Sequence, residues 1–185
     1  MADSPPDEAR LHEAALTHIA RYATTRAGLL RVLDRRIDRW ARAAEEPDMA
    51  AIAASRRAAR AVVERLTASG AVNDAAFAES RARSLTRAGK SRQAIAAHLA
   101  SRGVAAETTR EATARDAETD LAAALAWAKR RRIGPFRAPA EADADARRKE
   151  LGVLARAGFD RDVALRALSC PPDEAEARVI GLKRT

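Results

Sequence analysis

Apolar residues recur three and four positions apart along most of the chain, with charged residues between them, and β-branched runs of period two are missing. That pattern belongs to amphipathic helices, and it predicts an all-α protein. The first helix is expected from about Ala9 to Ala23, with Leu11, Ala15, Leu16 and Ile19 on one face. Thr24 or Thr25 can cap a second helix that carries Leu29, Leu30, Leu33, Ile37 and Trp40 at helical spacing, with Arg31, Arg35, Arg36 and Arg39 elsewhere on it. The stretch Glu45-Glu46-Pro47-Asp48 breaks that helix, because proline cannot continue the backbone ladder. Asp48 can cap a third, holding Ile52, Val62, Val63 and Leu66 and closing at Gly70.

The segment Val72 to Val104 has both ends of two short helices marked. Asn73 and Asp74 are of the type that caps a helix start, since a side-chain oxygen can accept from an orphan backbone N–H. Phe77, Ala78, Arg81 and Leu85 lie along the first helix, and Gly89 supplies its left-handed stop. Ser91 caps the second, where Ile95 and Leu99 share a face, and Gly103 ends it. A helix over about Ala106 to Ala114 follows, and it either breaks at Asp116 or continues into the next. The next helix contains Leu121, Leu125 and Trp127, finishes in Lys129-Arg130-Arg131-Arg132 and is stopped by Gly134-Pro135. Phe136 to Asp143 reads as a loop. A helix with Leu151, Val153 and Leu154 then runs to Gly158, and Asp160 caps another with Val163, Leu165 and Leu168.

The same arrangement repeats. Thr25 and Ser91 hold one cap position, Leu29 and Leu33 correspond to Ile95 and Leu99, and Leu99 to Gly103 matches Leu154 to Gly158. Three short helices bury little area alone, so neighbouring units must stack. The expected organisation is a disordered tail over 1–8, helical repeats over 9–70, 71–115 and 116–170, and a C-terminal tail over 171–185 that is either a short charged helix or frayed. The expected shape is an elongated, curved array of three tandem three-helix repeats.

Apolar residues make up 47% of the chain but aromatics only 3%, so the core must be built mainly from Ala and Leu between close helices. The formal net charge is +8, which points to an anionic partner: nucleic acid, an acidic protein surface or a membrane face. Arginine on solvated helix faces is the alternative reading of the same excess. In the central stretch Arg81, Arg83, Arg87, Lys90, Arg92 and Arg102 stand against Asp74 and Glu79 only. Lys129, Arg130, Arg131 and Arg132 form a second cationic block, which either binds or stabilises the negative end of its helix. These ten residues are the candidate binding face.

Chemistry beyond charge is sparse. His12, His18 and His98 are scattered, without a second ligand at metal spacing, and no metal or cofactor is expected. Trp40 and Trp127 have alanine and leucine neighbours and read as core fillers rather than base-stacking platforms. Cys170 is the sole cysteine, so no intrachain disulfide can form, and it reads as a small apolar residue. Gly-rich phosphate loops, G-x-S-x-G and H-E-x-x-H are absent, and the chain is not expected to be an enzyme. The N-terminus lacks an export signature and no run is apolar enough to span a bilayer, so a cytosolic protein is expected.

The central stretch resembles the RecX family of recombination regulators. Asp74, Phe77-Ala78, Ser80, Arg83, Gly89-Lys90, Ile95, Leu99 and Gly103-Val104 follow that family's pattern in order. Arg156, Gly158, Phe159, Asp160 and Val163 are similar to its C-terminal signature, and Leu16, Ile19, Tyr22, Thr25, Leu29 and Leu33 to its opening helix pair. Two features depart from it: Ala71-Val72 stands where an aromatic or Leu is common, and Trp40 to Ser55 is longer than usual. The resemblance implies a monomeric, non-enzymatic regulator that lies in the groove of the RecA filament and restrains its ATP hydrolysis and strand exchange. It also implies that DNA can be a direct ligand. From charge and repeats alone, a plain DNA-binding module and a helical scaffold for another acidic protein stay open.

Overall fold

The computed structural model describes residues 4–44, 48–138 and 143–184; the Glu45–Pro47 break, the first three residues and part of the loop after Phe136 lie outside them. Among the described residues the chain is helical and contains no strand. In order the helices are α1 (Glu8–Ile19), α2 (Arg26–Ala43), α3 (Met49–Ala68), α4 (Asp74–Arg87), α5 (Arg92–Ser101), α6 (Ala106–Thr113), α7 (Ala117–Arg131), α8 (Ala144–Arg156), α9 (Arg161–Ser169) and α10 (Pro172–Arg184), with a 3-10 turn at Gly134–Phe136. They form two compact units. One contains 4–77 with 102–105, the other 78–101 with 106–184.

The first unit is α1 and α2 packed with α3. Its core takes Leu11 and Ala15 from α1, Leu29, Leu33 and Ile37 from α2, and Ala59, Val62, Val63 and Leu66 from α3. The helix starts are held by side chains. Asp7 accepts from the Arg10 N–H at 2.9 Å, Thr25 from Gly28 at 2.9 Å and Asp48 from Ala50 at 2.8 Å. Residues expected in the N-terminal tail therefore serve the fold: Asp7 caps α1, Pro6 is buried, and Glu8 pairs with Arg65 at 2.6 Å. Helix α1 stops at Ile19, four residues short of expectation, because Thr25 needs extended backbone (φ −79 at Asp7 and −93 at Thr25 are both of this kind) and the chain must first leave the helix. Leu16, expected in the core, is 44% exposed.

Residues 102–105 dock on this unit through the start of α2. The Thr25 hydroxyl, itself buried, donates to the Arg102 carbonyl at 2.7 Å, and Arg31 Nη2 donates to the same oxygen at 3.2 Å. Gly103 follows with φ +83, and a Cβ there would collide with Ala27. Asp74 acts in the same place. It is not the cap of α4, a role taken by Asn73, which accepts from Ala76 at 2.9 Å; instead its carboxylate accepts from the Arg26 N–H at 2.7 Å, at the electropositive start of α2.

The second unit repeats the device. Ser91, the buried cap of α5, accepts from Ala94 at 3.1 Å and donates to the Ala157 carbonyl at 2.6 Å. Gly158 follows with φ +83, where a Cβ would come within 2.8 Å of Ser91 Oγ and 2.7 Å of Gln93 Oε1. Thr25, Ala27, Arg102 and Gly103 thus have the same relation as Ser91, Gln93, Ala157 and Gly158. A cap hydroxyl of one repeat is bonded to the carbonyl that precedes the closing glycine in the next.

Helix α7 runs through the middle of this unit with Asp120 to Ala126 and Ala128 buried, which its alanines permit by letting neighbours approach closely. It packs against α9 and α10. Asp116 caps it, accepting from Thr119 at 2.7 Å, while Asp160 stands before α9 without a side-chain capping bond. The segment after Pro171, expected as a short charged helix or a frayed tail, is helix α10, and it belongs to the core of this unit. Its Ala175, Val179 and Leu182 are buried in the core with Leu121, Leu125, Leu154 and Phe159. The spacing of four and three residues was present in the sequence, but Asp173, Glu174, Glu176 and Arg178 around it masked the stripe. Glu118 ties α7 to this helix, accepting from Arg166 at 2.7 Å and from Arg178, and these bonds hold its carboxyl below the usual glutamate range. Cys170 is half-buried against the same core, and that burial pushes its thiol up.

Replacing Ser91 by alanine removes both a cap and the donor to a neighbouring carbonyl. The expected cost is about 1–3 kcal/mol, read as a lower urea midpoint by circular dichroism. An unchanged midpoint would contradict the assigned role.

Candidate functional site

Nine of the ten predicted cations belong to the second unit; Arg102 belongs to the first, where its carbonyl is the acceptor for Thr25. In the second unit internal partners divide the cations into two groups. Arg92 is held in place: its Nη2 donates to Asp120 Oδ2 at 2.5 Å and to the Arg115 carbonyl at 3.0 Å. Asp120 also accepts from Arg115 Nε at 2.5 Å, and the Arg115 guanidinium continues to Thr86 Oγ1 at 2.8 Å and the Lys90 carbonyl at 3.2 Å. Arg115 and Asp120 side chains are only 8% and 11% exposed, so this is a buried ionic knot joining α4, α5 and α7. A carboxylate there is tolerated because each of its oxygens accepts from a guanidinium. Sequence reading missed this pair, although a lone Asp120 before the Leu121–Ala128 apolar run was its signal.

Other predicted cations have looser partners. Arg81 Nε donates to His98 Nε2 at 3.2 Å, Arg83 faces Glu79 at 3.6 Å with both side chains 61% exposed, and Lys129 pairs with Glu176 at 2.6 Å. Exposed pairs of this kind contribute at most about 1 kcal/mol and can be exchanged for an outside partner.

Lys90, Arg130 and Arg131 converge on one ring. The Lys90 ammonium lies 4.9 Å from the Trp127 ring centroid, and the Arg130 and Arg131 guanidinium carbons lie at 5.1 and 5.2 Å. None of the three has a carboxylate partner among the described residues, and the electron-rich ring face stands in for one. The indole N–H of Trp127 is buried without an acceptor among the described residues. Beside it lies a cavity of about 410 Å³ lined by Lys90, Ser91, Arg131, Val153 and Arg156. Arg156 was missed as a site residue. It closes α8 and folds back over Gly152, and a side chain at 152 would crowd its guanidinium. Trp127 is half-buried against the core as expected, yet its ring also organises the cations, a role that alanine neighbours in the sequence do not reveal. Arg87, on α4, is exposed beside a smaller cavity of about 230 Å³, and Arg132, left-handed at φ 54, caps the end of α7 with its backbone.

The arrangement can receive an anion. The start of α5 carries the positive end of the helix dipole, and Lys90, Arg131 and Arg156 add full charges along the lining of the cavity. Among the described residues no group of His, Cys, Asp and Glu is placed to hold a metal ion, and no helix is long and apolar enough to cross a membrane.

Short helices in repeated triplets, joined cap to carbonyl, define a helical-repeat protein whose second unit carries cations without carboxylate partners among the described residues. The model of the RecX second three-helix domain matches residues 73–112, which span α4 to α6. The regulatory protein RecX of Myxococcus xanthus (strain DK1622) is 37% identical over 165 residues, 88% of this chain and 86% of that protein. The regulatory protein RecX of Agrobacterium fabrum (strain C58 / ATCC 33970) is 40% identical over 107 residues, 57% of this chain and 56% of that protein. The chain belongs to the RecX family of regulatory proteins.

Replacing Asp120 by alanine leaves Arg115 buried without its counter-charge. The unit should lose about 3–5 kcal/mol in urea unfolding. A loss below about 0.5 kcal/mol, the range of ordinary surface substitutions, would show that the knot does not hold α5 to α7.

Proposed function

We propose that this regulator binds the RecA filament and restrains its ATP hydrolysis and strand exchange, acting as a non-enzymatic monomer in the cytosol. Membership of the RecX family supports a regulatory role. The observation that carries the finer reading is the set of cations left without carboxylates around Trp127. A protein whose own acids neutralised its surface would gain little from an anionic polymer. Here Lys90, Arg131 and Arg156 remain available, and Arg83 and Lys129 can exchange exposed partners. In this reading the second unit docks on a filament groove lined by DNA and acidic protein. Occupancy there opposes the subunit changes that hydrolysis and strand exchange require.

Substoichiometric protein should slow RecA-catalysed ATP hydrolysis on single-stranded DNA. The Arg83→Glu, Lys90→Glu double variant should need about tenfold more protein for the same effect, with helicity unchanged. A hydrolysis rate that stays flat at excess wild-type protein ends the proposal; an equally potent variant removes the central face from it.

A further inference from the structure

A second basic groove lies in the first unit, between α1 and α2, far in sequence from the cations discussed above. We infer that it takes a single-stranded nucleic-acid segment, with one base against Tyr22 and the adjoining phosphates along the arginines of α2. The groove has a volume of about 440 Å³, the scale of one nucleotide, and is open to solvent. Tyr22 lines it while 60% exposed, and its ring is steadied by His18, the two centroids being 5.2 Å apart. An aromatic ring left outside the core yet braced by a second ring is a platform for a base, whose flat face stacks regardless of sequence.

The charge around the platform matches a phosphate backbone. Arg35, Arg36 and Arg39 line the groove from α2, and Arg21 lines it next to Tyr22; none has a carboxylate partner among the described residues. Glu13 is the one carboxylate in the lining. Asp38, on the same helix, is turned away to Arg56 on α3 at 2.9 Å. Arg35 and Arg39 stand one helical turn apart, about 6 Å along the axis, which is on the scale of one extended nucleotide step. A double helix would not reach the ring, because its bases are stacked and paired inside; a single strand can turn one base out. The groove therefore favours single strands.

The test is fluorescence anisotropy of the full chain with a labelled oligo(dT), in the absence of recombinase. Tyr22→Ala should weaken binding about 5- to 150-fold, the range for one stacked base, whereas Tyr22→Phe should bind as wild type does. Arg36→Glu with Arg39→Glu should lower affinity and reduce the log–log salt slope by about 0.7 per lost phosphate contact. An abasic strand should bind the wild type weakly and be indifferent to Tyr22→Ala. Oligo(dT) binding that ignores both the tyrosine and the arginine variants would overturn the inference. So would free thymidine triphosphate displacing the strand at equal nucleotide concentration, since the site would then be one for mononucleotides. Because the assay contains no filament, its failure leaves the proposed regulation of RecA standing, and a flat ATPase titration leaves this groove standing.

Discussion

Two hydroxyls hold the repeats in register. Thr25 and Ser91 each complete the start of a second helix, and each spends its proton on a carbonyl one repeat further along the chain. The glycine after that carbonyl is obligatory for two reasons at once: its φ of +83 disfavours other residues, and a Cβ would strike the start of the helix it faces. With only 3% aromatic residues the protein has little side-chain bulk with which to define how helices meet. A buried hydrogen bond between a cap and a carbonyl supplies that definition. Leaving either partner unsatisfied costs more than the bond contributes, so other registers are disfavoured.

The candidate face follows from the same joint. Ser91 bonded to Ala157 brings the start of α5 to the end of α8, so Lys90 and Arg156 border one cavity, and Arg131 reaches it from α7. The buried Asp120–Arg115 pair, reached by the half-exposed Arg92, fixes α5 to α7 from the other side. Carboxylates are thus used where helices must be joined, and the face around Trp127 is left with cations and a ring. A thin, alanine-rich core and a basic surface are two consequences of one economy: ionic and capping contacts set the geometry, and the charge that remains is free for a partner.

Much of this was legible in the sequence. Thr25, Asp48 and Ser91 capped helices as their side chains predict, and the closing glycines fell where helices end. What was not legible involved groups whose partners are distant in sequence. Asp74 has the residue type of a local cap but satisfies the start of α2 instead. That α10 completes the core was hidden because three buried residues, Ala175, Val179 and Leu182, are too few to stand out until α7 is there to receive them. The candidate face was read as ten cations of equal rank. Sorting them required knowing which acids lie within reach, and Arg156 entered only because folding brings the end of α8 to Trp127's cavity.

The central claim is that the cations gathered around Trp127, rather than net charge, engage the filament. Co-sedimentation with RecA assembled on single-stranded DNA tests it directly, comparing Arg131→Glu, at the Trp127 ring, with Arg110→Glu, on α6 and outside that cluster. Both reversals change net charge equally. The account predicts that the first weakens binding by about tenfold or more and the second leaves it unchanged. Equal losses would mean that the filament senses overall charge alone and would contradict the account.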